Sequence, residues 1–398
     1  MKRRIFLGLA LAALTATPAR ADAKFVAFIQ TLWPRVKKAG YSRELFDAAF
    51  AGITEPDPLV LKLAANQPEF NSTTSEYLDK AVTQVRIDTG KQMLTSNGDF
   101  LAAVRAKYGV NSIPLLGIWG IESNFGKQMG DMKVLRCLAT LMYSGTKKDY
   151  ANNQLLPAFA ILKSGVRTPA NFTGSWAGAM GHTQFIPATY IDAAVHWGDG
   201  EGKRDIWNSK EDALASTANY LKRSGWKGDR PWGFEVKLPD GFDRNLIGRK
   251  HWKPIADWGK LGIKPMTGDA LPAPQADAFV MIPQGMDGPV FLVTHNFLAL
   301  LSYNDSHAYA LAVGVLGDII NGKVGVKASW PEQKTDLTYA ERKDLQQRLS
   351  DMGFDTGGAD GRFGARTYEA VLGFQKKVGM ALDGFPTRKV LERLRAGG

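Results

Sequence analysis

Apolar residues near the start of the chain recur at helical spacing. Phe25, Phe28 and Leu32 share one face of a helix that Gly40 can stop. Leu45, Phe46, Ala49 and Phe50 mark the inward face of a second helix, which Ser42 can cap. The segment Lys24–Gly52 therefore reads as two helices. Helical periodicity continues from Ser75 through Tyr108 to the segment around Glu122 and returns from Leu155 to Lys163. At Leu115, Leu116, Ile118, Trp119 and Ile121 the pattern covers nearly every face, which predicts a helix buried all round. Ser112 can cap that helix, Pro114 suits its first turn, and Gly126 can break it.

The period fails between Pro231 and Pro289. Gly and Pro become frequent and the apolar runs shorten to Phe234-Glu235-Val236 and Ala278–Ile282, so this stretch reads as loops with a few short strands, inserted before a helix near Asn296. Residues 322–336 are largely polar, with Trp330 the one large apolar group, and have the composition of a linker. From Leu337 to Leu394 a compact helical unit follows, with a two-copy echo. Leu345-Gln346 and Phe374-Gln375 each run on to an Asp-Gly turn, Asp360-Gly361 and Asp383-Gly384.

The N-terminus has a different logic. Lys2, Arg3 and Arg4 precede an apolar run from Ile5 to Leu14, and Ala19-Arg20-Ala21 supplies small residues around a cleavage point, the three parts of an export signal. Arg3-Arg4-Ile5-Phe6-Leu7 also fits a twin-arginine pattern, so the export route stays open. Cleavage after Ala21 would remove Lys2, Arg3, Arg4 and Arg20 and no acid, lowering the formal charge from +11 to +7. The mature surface stays basic and attracts polyanions, and export favours a carboxylate-rich cell wall over nucleic acid. Cys137 is the only cysteine, too far from the cleavage point to take a lipid and without a partner for an internal disulfide. Phe291–Leu301 is too short, with His295 and Asn296 inside it, to span a membrane. The product is expected to be periplasmic, with neither lipid anchor nor membrane span.

Candidate chemistry centres on Gly117-Ile118-Trp119-Gly120-Ile121-Glu122-Ser123-Asn124-Phe125-Gly126. Glu122 ends the buried helix, and a carboxyl at the rim of a dry core is desolvated and kept protonated near neutral pH. A glycosidic general acid needs that state. Alone, the motif fits equally well a glutamate paired with a base on a neighbouring helix. A second motif shifts the balance: Ser175-Trp176-Ala177-Gly178-Ala179-Met180-Gly181-His182-Thr183-Gln184-Phe185-Ile186-Pro187 has glycines that allow close backbone approach to a ligand, and Gln184 adds a bidentate amide suited to sugars.

With Gln67-Pro68-Glu69-Phe70, Asp205-Ile206-Trp207, Ala218-Asn219-Tyr220 and Ser302-Tyr303-Asn304, these segments resemble the lytic murein transglycosylase B family of the lysozyme-like glycosidase group, over roughly residues 25–320. The resemblance implies a mainly α fold: a lysozyme-like catalytic domain with a helical N-terminal part and a small β/loop insertion, plus a three-helix C-terminal module. It implies that Glu122 first protonates the leaving glycosidic oxygen and then removes a proton. It places Ser175, Gln184 and Asn304 on the sugar around the cleaved bond, and Tyr220, Tyr303 and, by its spacing to Glu122, Tyr77 along the groove. Most glycosidases need two carboxylates. A transglycosylase manages with one, because the N-acetyl group of N-acetylmuramic acid assists and that sugar's 6-hydroxyl attacks. The bond is the MurNAc–GlcNAc β-1,4 linkage and the product a 1,6-anhydro-MurNAc end. Asp131, Asp149 and Asp192 stay open as second carboxylates, without spacing in their favour.

Some relatives carry an EF-hand-like calcium loop. Asp199, Glu201, Gly202 and Asp205 sit at plausible positions here, but Trp197 and Asn208 stand where carboxylates are needed, so no tight calcium site is expected. No other cofactor is expected. His182, His196, His251, His295 and His307 lack metal-ligand spacing, and Gly317–Lys323 imitates a phosphate loop that Val324 spoils.

Leu345-Gln346, Gly353, Asp360-Gly361-Arg362-Phe363-Gly364, Thr367, Ala370-Val371, Phe374-Gln375 and Asp383-Gly384 resemble a small peptidoglycan-binding domain, implying attachment to the wall. The expected division is 1–21 signal peptide, 22–321 catalytic domain, 322–336 linker and 337–398 binding module. Peptidoglycan glycan strands are the expected partner, with other cell-wall enzymes as a further class. Competing readings are a lysozyme-type muramidase and a wall-binding protein without catalysis.

Overall fold

The chain turns once more near its start than the periodicity predicts. Ala23–Thr31, Trp33–Lys38 and Arg43–Phe50 are three helices, because Pro34 in the first turn of the second has no N–H to continue the first. The computed structural model describes residues 22–66, 73–200, 202–268, 270–331, 337–361 and 363–397. The predicted export signal (residues 1–21), Gln67-Pro68-Glu69-Phe70, Glu201, Arg362 and residues 332–336 lie outside the described residues.

Two apolar cores make up the main body. The first joins the N-terminal helices to Val134–Ser144 and Lys148–Lys163 around Phe25, Phe46, Phe159 and Tyr190. The second is built on two helices, Ser112–Ser123 and His307–Ile320, with residues from Leu78 to Val110 and from Leu214 to Leu301 around them. These two helices cross so closely that a Cβ on Gly117 would lie 2.2 Å from the Val313 carbonyl, and one on Gly317 2.2 Å from the Ile113 carbonyl. Reciprocal glycines let the two backbones touch. Gly317 thus serves helix packing. Asn111 rather than Ser112 caps the first helix: its Oδ1 accepts from Ile113 N at 3.2 Å, while Ser112 Oγ bonds Asn321 Oδ1 at 2.7 Å. The cap lies one residue earlier than predicted, since an Asn with extended backbone fills that role as well as a Ser.

The region of broken periodicity is a five-stranded antiparallel sheet in the order Lys253–Pro254, Asp277–Met281, Val290–Thr294, Gly233–Lys237, Lys264–Pro265. Its centre pairs Phe279 with Val293 and Val280 with Leu292, whereas both edge strands are two residues long and end in proline, which cannot donate to a further strand. A third small core lies around Trp258, Val280 and Leu292. Met132–Lys133 and Thr173–Gly174 form a separate two-stranded ribbon that the sequence pattern does not reveal. The described part of the linker-like stretch lies against the five-stranded sheet: the Lys327 and Ala328 N–H groups donate to Glu235, and Gln284 Nε2 donates to the Pro331 carbonyl.

Tyr339–Asp351, Ala365–Val378 and Arg388–Arg395 form the C-terminal module around its own core of Leu345, Leu349, Val371, Phe374 and Leu391. The sequence echo has a physical cause. Gln346 Oε1 accepts from Gly361 N at 2.6 Å, and Gln375 Oε1 accepts from Gly384 N at 2.8 Å, so each half clamps its Asp-Gly turn with a buried glutamine.

Candidate active site

Glu122 lies in the last turn of the Ser112–Ser123 helix, at the seam between the two main cores, and Tyr220 and Tyr303 pack against both cores. The helix ends abruptly: Asn124, Phe125 and Gly126 have φ of 50°, 58° and 86°. A left-handed Phe is strained, at a cost of about 1–3 kcal/mol, and packing pays for it. The Phe125 ring meets Trp119 edge-on at 5.5 Å and lies so close over Gly120 that a Cβ there would be 2.9 Å away.

The two sequence motifs are stitched together directly behind Glu122. Ser123 Oγ donates to the His182 carbonyl and accepts from Gly126 N at 2.9 Å. Trp119 Nε1 donates to His182 Nδ1 at 3.0 Å, which puts the imidazole proton on Nε2. Burial lowers the His182 pKa, so the ring is neutral. A Cβ on Gly126 would sit 2.3 Å from that ring, so the glycine is required by contact as well as by conformation.

By surface area Glu122 is half-buried, but its carboxyl is ringed by protein. Desolvation raises its pKa to about 7, and a hydrogen bond from the Tyr309 hydroxyl to Oε1, at 2.5 Å, works in the opposite direction. No acidic group contributes to that shift. Asp131, Asp149 and Asp192 are all exposed, and Asp192 pairs with Arg223 at 2.7 Å. The site thus holds a carboxyl that burial keeps partly protonated near neutral pH.

The predicted tyrosines gather around Glu122. Tyr303 donates to the Thr183 carbonyl at 2.5 Å, its ring is parallel to Tyr309 at 6.5 Å, and Glu122 helps to raise its pKa well above normal, after burial itself. Tyr220 meets Tyr303 edge-on at 5.2 Å and donates to the Ser302 carbonyl. Tyr77 stands on Thr74–Ala81, whose start is fixed by a Thr73–Glu76 capping box, and it is near enough to Tyr309 to influence its ionisation. Gln184 sits with φ 54° in the glycine-rich turn, and its Nε2 donates to the Met129 and Gly181 carbonyls at 3.0 and 2.9 Å. Two-ended recognition of a sugar is therefore not open to it as it stands; the carbonyl oxygen remains. Ser175 Oγ accepts from Ala179 N at 3.1 Å, and Asn304 is exposed at the end of His295–Tyr303; among the described residues neither touches Glu122.

Tyr309 is the residue that sequence reasoning missed. It is fully buried, in the first turn of His307–Ile320, with its N–H capped by Ser306 at 3.3 Å. One signal was available: it is a tyrosine in a glycine-spaced helix that is apolar apart from His307 and Asp318, and a buried phenol needs a partner.

The family model described as Transglycosylase SLT domain matches residues 24–318, and that described as Putative peptidoglycan binding domain matches 338–394. SltB3 from Pseudomonas aeruginosa, solved in complexes with NAG-NAM-pentapeptide and NAG-anhNAM-pentapeptide, is 43% identical with a TM-score of 0.83, covering 93% of this chain and 99% of its own. Membrane-bound lytic murein transglycosylase B of Escherichia coli (strain K12) is 29% identical over 300 residues, 72% of this chain and 80% of that protein. The Escherichia coli lytic transglycosylase Slt35, solved in complex with calcium, is 28% identical with a TM-score of 0.60, covering 75% of this chain and 93% of its own.

Asp205, in the calcium-like loop, is already committed to partners within the chain. Asp205 Oδ1 accepts from Arg167 Nη2 at 2.9 Å and from the Trp207 and Asn208 N–H groups, and Oδ2 accepts from Asn208 Nδ2 at 2.8 Å. Among the described residues no cluster of three or more His, Cys, Asp or Glu side chains is placed to hold a metal.

Proposed function

The chain belongs to the Transglycosylase SLT domain family, and from that premise we propose that Glu122 is its single acid and base in cutting the MurNAc–GlcNAc β-1,4 bond of peptidoglycan. The observation that carries this reading is the buried Glu122 carboxyl, lifted to about 7, with Tyr309 as its one hydrogen-bond donor and no second carboxyl acting on it among the described residues.

The protonated carboxyl gives its proton to the glycosidic oxygen as the C1–O4 bond breaks. The N-acetyl carbonyl of the muramic sugar supports the anomeric carbon. Glu122, now a carboxylate held by Tyr309, takes the proton from that sugar's 6-hydroxyl as the oxygen closes on C1. The product is a 1,6-anhydro end, and no water is consumed. Tyr77, Tyr220 and Tyr303 supply aromatic walls for the sugars, the Gln184 carbonyl oxygen accepts a hydrogen bond, and Ser175 and Asn304 bound the groove. Zymography of Glu122→Gln beside the wild type, with mass spectrometry of the products, tests this. Loss of clearing in the variant and anhydro ends from the wild type are expected. Full activity in the variant defeats the assignment, and products heavier by one water convert it to a muramidase.

The division into residues 1–21 signal, 22–321 catalytic domain, 322–336 connector and 337–398 wall-binding module belongs to the same reading. So does a periplasmic location, supported by the basic and apolar pattern of the first 21 residues and by the absence, among the described residues, of a helix long and apolar enough to cross a membrane. Deleting residues 337–398 is expected to weaken binding to insoluble sacculi.

A further inference from the structure

The position of Tyr309 depends on a corner of three residues. Asn304, Asp305 and Ser306 join His295–Tyr303 to His307–Ile320, and so connect the two helix ends that carry Tyr303 and Tyr309 beside Glu122. Within the corner, Ser306 Oγ accepts from Tyr309 N at 3.3 Å, and the Asn304 carbonyl accepts from Ser306 N at 2.7 Å. Asn304 and Asp305 are exposed, so the main body alone holds this turn thinly. The Tyr309 hydroxyl meets Glu122 at 2.5 Å, and a site of that kind tolerates a drift of only about 0.5 Å.

The C-terminal module braces the corner from outside. The Tyr368 ring lies 5.6 Å from the ring of His307, the first residue of the Tyr309 helix, which is buried and also packs on Phe297 at 5.8 Å. Burial lowers the His307 pKa to about 4, so this contact is packing between uncharged rings. Gly364, at the cap of Ala365–Val378, comes so near that a Cβ on it would lie 3.0 Å from the Asp305 carbonyl. Arg366 adds an ion pair with Asp305 at 3.8 Å, which contributes little because both side chains are more than half exposed. Tyr368 is itself fixed from behind: the buried Phe385 ring is 6.1 Å away, and a Cβ on Gly384 would lie 3.2 Å from the Tyr368 carbonyl. Gln375 clamps that same Asp383-Gly384 turn. Packed groups thus run without a break from a buried glutamine of the module to the first turn of the helix that carries Tyr309. A module that served only as a tether would raise local concentration whichever face it turned to the enzyme, and would need no such seat.

We infer that Tyr368 is a positioning residue for the reaction: seated on His307, it holds the corner that sets the Tyr309 hydroxyl on Glu122. The inference rests on the reading of Glu122 as the acid, and it gives the module a part in the proton chemistry. Among the described residues, the titratable groups that act on one another here are Glu122, Tyr303, Tyr309 and Tyr77, so the Glu122 titration reports how the phenols around it are placed.

The test uses the full chain on soluble glycan fragments, so that wall attachment does not enter. In Tyr368→Ala the high-pH limb of kcat/KM is expected to move upward by about half a pH unit and kcat to fall about threefold, with KM unchanged. Tyr368→Phe, which keeps the ring, is expected to restore both. Added to Tyr309→Phe, Tyr368→Ala is expected to shift the limb no further. Gly364→Ala presses on Asp305 from a backbone that accepts a side chain, at φ −84°, and repeats the test if Tyr368→Ala melts early. NMR titration of the Glu122 carboxyl, its signal assigned by its absence from Glu122→Gln, gives a readout apart from turnover. A carboxyl titration that stays in place in both variants, or shifts that add in Tyr309→Phe, overturns the inference. A carboxyl that shifts while the rate limb does not upholds the positioning and defeats the reading of Glu122 as the acid.

Discussion

The Glu122 groove and the C-terminal module both set polar side chains against apolar cores, and they satisfy them in opposite ways. In the module, Gln346 and Gln375 are buried and use both ends of their amides. Gln375 Oε1 accepts from Asp383 N and Gly384 N while Nε2 donates to Asp383 at 2.7 Å, and Gln346 repeats the arrangement with Gly361, Asp360 and Thr367. Around Glu122, among the described residues, Glu122 has one donor, and Gln184 has its nitrogen pinned and its oxygen unclaimed. Both regions carry recognisable motifs, yet a polar group with all its partners inside the chain holds a turn, and one with capacity left over can meet a substrate. The module's motif residues identify a scaffold; those around Glu122 are the ones left free for the proposed chemistry.

The hardest blow to that contrast is Glu122→Gln. Turnover of sacculi is expected to fall about 10²–10⁴-fold, with sacculus binding intact, as measured by product release and by pelleting. Comparable residual turnover would mean that the under-satisfied carboxyl is not the reacting one. Tyr309→Phe comes next, with an expected loss of about tenfold and a distinctive pH signature. Under the proposed mechanism Glu122 acts in its protonated form, so kcat/KM is expected to decline as pH rises through about 7. The Tyr309 hydrogen bond lowers that pKa, so its removal should move the decline to higher pH. A shift to lower pH would contradict the hydrogen-bond geometry.

Smaller, and on the other side of the comparison, is Gln346→Ala. It strips a buried Gly361 N–H of its acceptor at 2.6 Å, which should cost the module about 1–3 kcal/mol, read by denaturant melts, and leave turnover of soluble fragments within about twofold. A fall in chemistry equal to that in Glu122→Gln would erase the distinction between scaffold and site.

What was legible in the sequence follows the same division. The all-apolar surround of the Ser112–Ser123 helix announced a buried carboxyl, because burial on every face leaves its mark on every position. The echo of Leu345-Gln346 in Phe374-Gln375 announced a repeated turn. The role of Tyr309 was hard to read because its hydroxyl bonds a partner 187 positions away, so the lone phenol in its helix did not say which group it meets. The short edge strands Lys253–Pro254 and Lys264–Pro265 are too brief to show a period of two. The commitment of the Gln184 amide to Met129 depends on a left-handed backbone that a non-glycine residue does not advertise.

The smallest expected effect is the most exacting test of the idea that satisfied groups do not bind. Asp205 is the best-placed acid in the loop that resembles a calcium site, and its carboxylate already serves Arg167, Trp207 and Asn208. Arg167 is 7% exposed, and its guanidinium lies 4.3 Å from the Trp207 ring, so a fixed positive charge braces the loop from within. For calcium to bind there it would have to displace a buried guanidinium, leaving that charge unpaired at a cost of about 3–5 kcal/mol. A ligand at a thousand times its Kd raises stability by about 4 kcal/mol, so a micromolar site at millimolar calcium would lift the melting temperature by several degrees. The expectation is a shift of less than about 1 °C between millimolar calcium and excess chelator. A rise of several degrees would mean that this carboxylate, although internally partnered, still has capacity for an ion, and the rule drawn from the module would not extend to the loop.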